Sequence, residues 1–347
     1  GFGIQDSILP IVDKQSGQLT HNDLTISLSD EKALTMEQGL ADTLDSSSAV
    51  HSWGAFYTKS TTLYNEEGGS ADVSIVGAED DARMTEYFTF RTRVGHDPIP
   101  FEEDSVILTE KTALNLELSV GDTFYVEAAD GSRVPLVLTG ITENYMFTRL
   151  YLSNAQLQAL LGSTPEWNTV YGLTGCTTEV EYNALRTKLL GCNYVSSVSF
   201  TEDTTSMFGS LIGSLNYVVV LIIVCAAALA AVVLYNLISV NLAERKKELA
   251  TIKVLGFYDK EVYRYIFREI ELLSLIGSGV GLLLGVPLHR FIVLTVEMDQ
   301  LMFIRTIAPH SYLLAVALTM LFTFVVCFAM RRHVRHISMV ESMKAPE

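Results

Sequence analysis

Leu234-Tyr235-Asn236-Leu237-Ile238-Ser239-Val240-Asn241-Leu242-Ala243-Glu244-Arg245-Lys246-Lys247-Glu248-Leu249-Ala250-Thr251-Ile252-Lys253-Val254-Leu255-Gly256 decides the fold, because of what stands on either side of it. Upstream, no charged side chain occurs between Asp203 and Glu244, and Leu215 to Leu234 is apolar apart from Asn216 and Tyr217. A helix crosses a bilayer with about 20 apolar residues. Downstream, Leu272 to Leu288 is again uncharged and carries four glycines. The charged stretch from Glu244 to Gly256 therefore links two membrane helices.

Working outward, a third apolar run extends from about Tyr312 to Met330 and ends at Arg331-Arg332-His333-Val334-Arg335. Spans are expected at about 214–238, 270–290 and 311–330, with a charged lever at 243–262 and a tail at 331–347. Basic residues at span ends favour the cytosolic side. Arg245, Lys246 and Lys247 follow the first span and the arginine cluster follows the third, so residues 1–208 are expected outside and the C-terminus in the cytosol. Charge divides the same way. Residues 1–210 hold 30 acidic and 11 basic side chains, the rest 10 and 13, within a total of −16. A domain of this size must be exported, yet the chain starts at Gly1 without a secretory signal. A fourth, preceding span is the expectation, with residues 1–16 as its exit.

The outer region, 17–208, reads as α+β. Strands are expected near Leu19–Leu28 and Val50–Tyr64, with a helix between them from the spacing of Ala33, Met36, Leu40 and Leu44 and Asp30 as N-cap. Asn65–Arg93, acidic and glycine-rich at its start, is expected to include loop. Val106-Ile107-Leu108 is a short strand followed by a helix to Leu116. Asp130-Gly131 between two apolar runs, Thr123–Glu127 and Val134–Ile141, signals a hairpin. Ser153 to Gln156 and Thr178 to Glu181 fit capping boxes. The second box opens a helix between strands Thr169–Thr174 and Tyr194–Phe200, a strand–helix–strand unit that places two parallel strands in one sheet.

Catalytic and metal-binding patterns are missing. There is no Gly-Lys dipeptide for a phosphate loop, no Gly-x-Ser-x-Gly, no His-Glu-x-x-His and no Cys-x-x-Cys. No cofactor, metal site or nucleic-acid partner is therefore expected, and His333 and His336 read as part of a basic flank. Cys176 and Cys192 are expected near opposite ends of one helix, roughly 18 Å apart, which weighs against a disulfide needing Cα atoms about 4.4–6.8 Å apart; outside the cell the bridge stays chemically open, since spacing does not settle connectivity.

Two membrane features carry more information. Gly277, Gly281 and Gly285 share one helix face, and glycine at that spacing admits the backbone of a neighbouring helix. Ala226 and Ala230 offer a matching small face on the first span. Glu269 lies beside Arg264 and Arg268 at the edge of the second span, where a boundary ion pair is as consistent as a functional carboxylate. The segment 243–263 is dense in both charge signs, with Leu249, Ile252 and Leu255 or Val254 along one stripe. Its residues alone leave two readings open, a helix lying on anionic lipid and a lever docked in another protein's groove.

Glu244 to Gly256 with Leu234-Tyr235-Asn236-Leu237, Gly277 to Gly285 and the ending Met339-Val340-Glu341-Ser342-Met343-Lys344 closely resembles the FtsX-like/MacB-like permeases of ABC transporters, over about 215–345. The similarity is greatest to the large permeases of Gram-positive bacteria. Val106–Leu116 followed by Val120-Gly121-Asp122 looks like that family's extracytoplasmic core domain. The resemblance implies a four-span unit paired with a second permease unit or copy. It also implies a separate ATPase subunit pressing on the segment after the first span seen here, whose motion reaches the external domain. ATPase contact is then expected at Arg245, Lys246, Glu248 and Lys253, with Gly256 as the bend after the lever. The rival reading is a membrane-anchored receptor for cationic peptides acting without an ATPase.

Overall fold

The computed structural model describes residues 2–34, 39–128, 131–245, 248, 251–252, 255–256, 258–297 and 300–335. They fall into two units, Leu9–Ile212 with Glu297–Ile304, and Gly1–Ile8 with Gly213–Val296 and the chain from Arg305 onward.

The larger unit is built on one mixed sheet. Its strands are β1 (Leu24–Leu28), β2 (Val50–Tyr64), β3 (Ser70–Ala78), β4 (Val106–Thr109), β5 (Thr123–Glu127), β6 (Arg133–Val137), β7 (Gly140–Thr142), β8 (Arg149–Leu152), β9 (Thr169–Thr174) and β10 (Val195–Phe200). The order is β10-β1-β9-β2-β3-β8-β4-β7, and the hairpin β5–β6 attaches to the end of β2. β3–β8 and β4–β7 are parallel and the remaining pairs antiparallel. β4 is buried at all four positions, as a strand paired on both edges and covered on both faces requires. After α1 (Phe2–Ile8), which belongs to the second unit, the helices of this unit are α2 (Pro10–Lys14), α3 (Leu40–Asp45), α4 (Asp81–Tyr87), α5 (Glu110–Asn115), α6 (Asn154–Leu161) and α7 (Glu179–Leu190).

The α+β expectation holds, and its details divide. β9 and β10 both run antiparallel to β1, which lies between them, so the strand–helix–strand unit does contribute two parallel strands. Its helix, α7, opens on a complete capping box, Thr178 with Glu181. Amides of Thr177 and Thr178 bond the Glu181 carboxylate and hold its pKa low. Ser153 caps α6, which ends at Gly162 with φ +66°. Three expectations are corrected. The helix from Asp30 to Leu44 is broken into a 3-10 turn (Glu31–Leu34) and α3, because Gly39 is extended at the α3 N-cap. β1 starts at Leu24, after a π-turn at Gln15–Leu19. Asn65–Arg93 includes the expected loop at its start and also holds β3 and α4. The strand expected at Val134–Ile141 stops at Val137, and Gly140 begins β7 on a different neighbour.

Three apolar clusters fill the unit. One packs α5 and α6 with the β5–β6 hairpin around Leu63, Leu108, Phe124 and Leu157. Another packs α3 and α7 against β1, β9 and β10. The third is aromatic, with Phe56 edge-on to Tyr87, Phe88 and Tyr171 at 4.7–6.2 Å between ring centroids, a favoured geometry.

The loop 143–147 gathers the polar contacts of this unit. Glu143, with a fully buried side chain, accepts from Arg91 Nε at 2.6 Å and from the Tyr145 hydroxyl at 2.5 Å. Burial first, then that bond, drives the Tyr145 pKa up. The Gln15 side chain accepts from the amides of Tyr145 and Met146 and donates to Asn144. On its far side the loop meets residues 300–302: Met302 N–H donates to Tyr145 O and Phe147 N–H to Gln300 O, both at 2.9 Å. Phe147 takes φ +64° to do so. Glu297 completes the attachment by pairing with Lys111 at 2.9 Å. Met302, Phe303 and Ile304 are buried.

The second unit contains three long helices, α8 (Thr201–Glu244, whose first residues belong to the larger unit), α9 (Asp259–Val296) and α10 (Pro309–Arg335). Each holds a stretch long and apolar enough to cross a membrane, at Tyr217–Asn241, Phe267–Val296 and Pro309–Ala329, with mean hydropathy 3.1, 1.8 and 2.4. α1 joins this unit through the Gly3 carbonyl and Ser7 hydroxyl on His289, and through Asp6, which accepts from Ala308 N–H. All four cysteines are free thiols, Cys176 and Cys192 included.

Candidate coupling site

The charged link begins where α8 ends. Arg245 N–H still bonds Asn241 O at 3.1 Å. Its guanidinium reaches across to α9 and grips Glu269 as a fork, Nη1 to Oε2 at 2.8 Å and Nη2 to Oε1 at 3.2 Å. The two side chains are 37% and 38% exposed. A planar guanidinium matches a carboxylate in this bidentate way, which a lysine cannot do. Beside the fork, Ile238 of α8, Val262 and Ile270 of α9 and Cys327 of α10 form a buried cluster. Leu234, Ile252, Phe267 and Val326 pack on it. Ile238 and Leu234 are four apart, so they present one face of α8. A hydroxyl pair, Ser274 with Thr323 at 2.6 Å, ties α9 to α10 farther along.

The link turns at Gly256, whose φ is +96°. Only glycine takes that conformation without strain. Tyr258 N–H then donates to the Glu261 carboxylate at 2.9 Å, the reach-back half of a capping box that starts α9. Around the turn, Leu255 is 73% and Tyr258 79% exposed. Large apolar side chains held out beside a charged turn are suited to a partner's groove.

Of the residues expected to contact an ATPase, Arg245 is engaged with Glu269, Glu248 is exposed, and Gly256 makes the bend. Lys246 and Lys253 lie outside the described residues, as do Leu249 and Val254 of the stripe and the tail from 336 onward. Ile252 faces the apolar cluster, whereas Leu255, placed on the same stripe by spacing, is swung out by the turn. Leu255 and Tyr258 were not among the expected contacts. Their signal, apolar side chains flanking a glycine in a charged link, was present but read as periodicity. The small faces are not brought together. A Cβ added at Gly277, Gly281 or Gly285 would meet nothing within 4 Å, and Ala226 is exposed with Ala230 half-buried. Among the described residues the close packing expected between them is not made.

One unit thus holds three helices long and apolar enough to cross a membrane and a charged, cross-braced link, and the other is a mixed α+β unit. Residues 220–339 match the FtsX-like permease C-terminal family. Among solved structures the chain is similar to the periplasmic region of MacB from Actinobacillus actinomycetemcomitans, with 13% identity, TM-score 0.33, 55% of this chain covered and 94% of that one. It is also similar to the extracellular domain of the noncanonic ABC-type transporter YknZ from Gram-positive bacteria, with 14% identity, TM-score 0.31, 52% of this chain covered and 99% of that one. No curated protein matches the chain.

Proposed function

We propose that this chain is the permease subunit of an ABC transporter, in which a partner ATPase moves the link 243–262 and α8 carries the motion to an extracytoplasmic domain formed by residues 17–208. The substrate outside is expelled, extracted or regulated rather than passed through the spans. The observation that carries this reading is the link itself. It lies inside the matched segment, its start is braced to α9 by Arg245 and Glu269, and its turn displays Leu255 and Tyr258.

In this reading Arg245 and Glu269 are positioning residues, while Glu248, Lys246, Lys253, Leu255 and Tyr258 supply the ATPase contact. The uncovered face of Gly277, Gly281 and Gly285 receives a second permease unit or copy. Chemistry is left to the ATPase, and this subunit supplies the transmission.

The test uses the full chain co-purified in nanodiscs with an ABC ATPase encoded beside it. Leu255→Asp with Tyr258→Asp is expected to abolish stimulation of ATP hydrolysis while leaving the permease inserted and folded. Undiminished stimulation would overturn the contact assignment. Cysteine at 253 should label with an impermeant maleimide only in opened cells, and labelling in intact cells would overturn the orientation.

A further inference from the structure

Arg149 is a charge without a counter-charge in the middle of the sheet. Its strand, β8, lies between β3 and β4, and the side chain leaves it on the face of Tyr151 and the aromatic cluster. The guanidinium stands over the rings of Phe88 and Phe147, 5.5 and 5.9 Å from their centroids. The hydrogen bond its side chain makes, to the Tyr151 hydroxyl, is long at 3.5 Å. Among the described residues no carboxylate pairs with it, and the side chains that bear on its charge are Tyr151 and Tyr171. Four other arginines of the unit differ: Arg83, Arg91, Arg93 and Arg186 each hold an acid within 2.8 Å. Acids are not scarce, since residues 1–210 carry 30 of them against 11 bases. A cation–π contact recovers part of what a guanidinium loses on leaving water. The two rings therefore hold and orient the group without replacing its hydrogen bonds.

Strand register sets two unpaired hydroxyls beside it. Ser74 is opposite Arg149 in the β3–β8 pair, and Ser60 is opposite Ser74 in the β2–β3 pair. Opposite residues share a face, so the three side chains stand in one row, about 4.8 Å from strand to strand. Neither serine hydroxyl makes a hydrogen bond among the described residues. Ser60 is exposed, whereas Ser74 and Arg149 are half-buried, so the row opens to solvent at its Ser60 end. Phe147, 47% exposed, stands over the inner end at φ +64°, a conformation uncommon for an aromatic residue and one that recurs at ligand clamps.

We propose that this row binds the carboxylate of a monoanionic extracytoplasmic ligand, gripped by the Arg149 guanidinium and the Ser74 hydroxyl with the ligand's apolar body against Phe147. A planar guanidinium presents paired N–H donors that match a carboxylate. One cation balances one negative charge, and the surrounding excess of acids disfavours a second, which selects a carboxylate over a phosphate. This inference stands whether or not the ATPase coupling does.

The full chain in detergent is titrated with benzoate at constant ionic strength, followed by isothermal titration calorimetry. Saturable binding is expected. Benzamide, of the same shape without the charge, should bind at least about tenfold more weakly, the worth of charge-assisted hydrogen bonds. Arg149→Lys keeps the charge and loses the fork, so it should weaken benzoate by about tenfold or more. Ser74→Ala removes a hydroxyl that bonds nothing in the fold, so it leaves the fold intact and should weaken benzoate by about tenfold. N-acetylphenylalanine is titrated alongside: binding of either acid supports the site, and the tighter of the two tells a chain terminus from a free acid. No binding of either acid, equal binding of benzamide, or wild-type affinity in either variant overturns the proposal. Equal or tighter binding of inorganic phosphate overturns the choice of a carboxylate.

Discussion

Lys111→Met is the most informative single change in the larger unit. Lys111 Nζ lies 2.9 Å from Glu297 Oε2, with the two side chains 14% and 1% exposed. The other carboxylate oxygen accepts from Phe303 N–H at 2.9 Å. Methionine keeps the aliphatic stem but removes this cation from a Glu297 carboxylate held out of water. Breaking one side of a fully buried pair costs about 3–5 kcal/mol. Lys111 retains some solvent, so about 2–4 kcal/mol is expected here. In a unit of some two hundred residues each kcal/mol moves Tm by about 2–4 °C, so the middle of that range predicts a fall of about 6–12 °C. Both tryptophans, Trp53 and Trp167, lie in this unit, so intrinsic fluorescence in detergent reports its melting. Adding Glu297→Met removes the buried carboxylate as well and should recover most of the loss, since an apolar pair can replace a buried ion pair at little cost. A single variant melting within about 1 °C of wild type, or a double variant no better than the single, would refute the view that residues 297–304 are anchored by this pair.

Exchanging the charges of the fork, Arg245→Glu with Glu269→Arg, should restore much of the ATP hydrolysis lost in either single variant, at a stability change of about 1 kcal/mol or less because the pair is a third exposed; absence of rescue would show that Arg245 serves the ATPase directly. Gly256→Ala meets open space but an adverse φ, so it should cost about 1–2 kcal/mol and lower coupled hydrolysis with insertion intact, as measured in nanodiscs. Burial raises the Asp23 pKa above its ordinary 3.8 against the bonds it accepts from Thr174. An acid with a raised folded pKa adds stability below its unfolded pKa and loses it as pH rises through the folded value. Asp23→Asn should therefore gain most on wild type at neutral pH, and that margin should shrink as pH falls through the raised pKa; a pH-independent margin in parallel melts would contradict this.

Segments whose pattern was local were legible in the sequence. β2 was expected and found at Val50–Tyr64, and α7 was readable because Thr178 and Glu181 satisfy orphan amides within one turn. β3 was not assigned although Ala71, Val73 and Ile75 alternate with Asp72 and Ser74, because the loop signals of Glu66 to Gly69 before it and Glu79 to Asp81 after it hid the alternation. The helix expected through Ala33 and Leu44 failed for the opposite reason, since an apolar 3.6 period continued across Gly39, where the backbone is extended. No window of sequence could show that Glu297 finds Lys111, 186 residues away, or that residues 300–302 lie on the loop 143–147.

The same distinction governs the coupling site and changes what its charges mean. Reading outward from the spans, every basic residue of the link was available to a partner, and Arg245 headed that group. The structure commits Arg245 to Glu269, a carboxylate whose nearer charged neighbours in sequence are Arg264 and Arg268. A guanidinium held in a fork gives a partner little beyond a surface charge, whereas its removal frees one end of the link from α9. Loss of Arg245 should therefore lower the efficiency of transmission more than the affinity for the ATPase. Loss of Leu255 and Tyr258 should do the reverse, because they stand outside the fold and have only a partner to pack against. Measuring ATPase affinity and maximal stimulated rate separately for Arg245→Ala and for Leu255→Ala with Tyr258→Ala divides the two roles. If both sets of variants shift affinity alone, the brace is part of the docking surface and transmission takes another path.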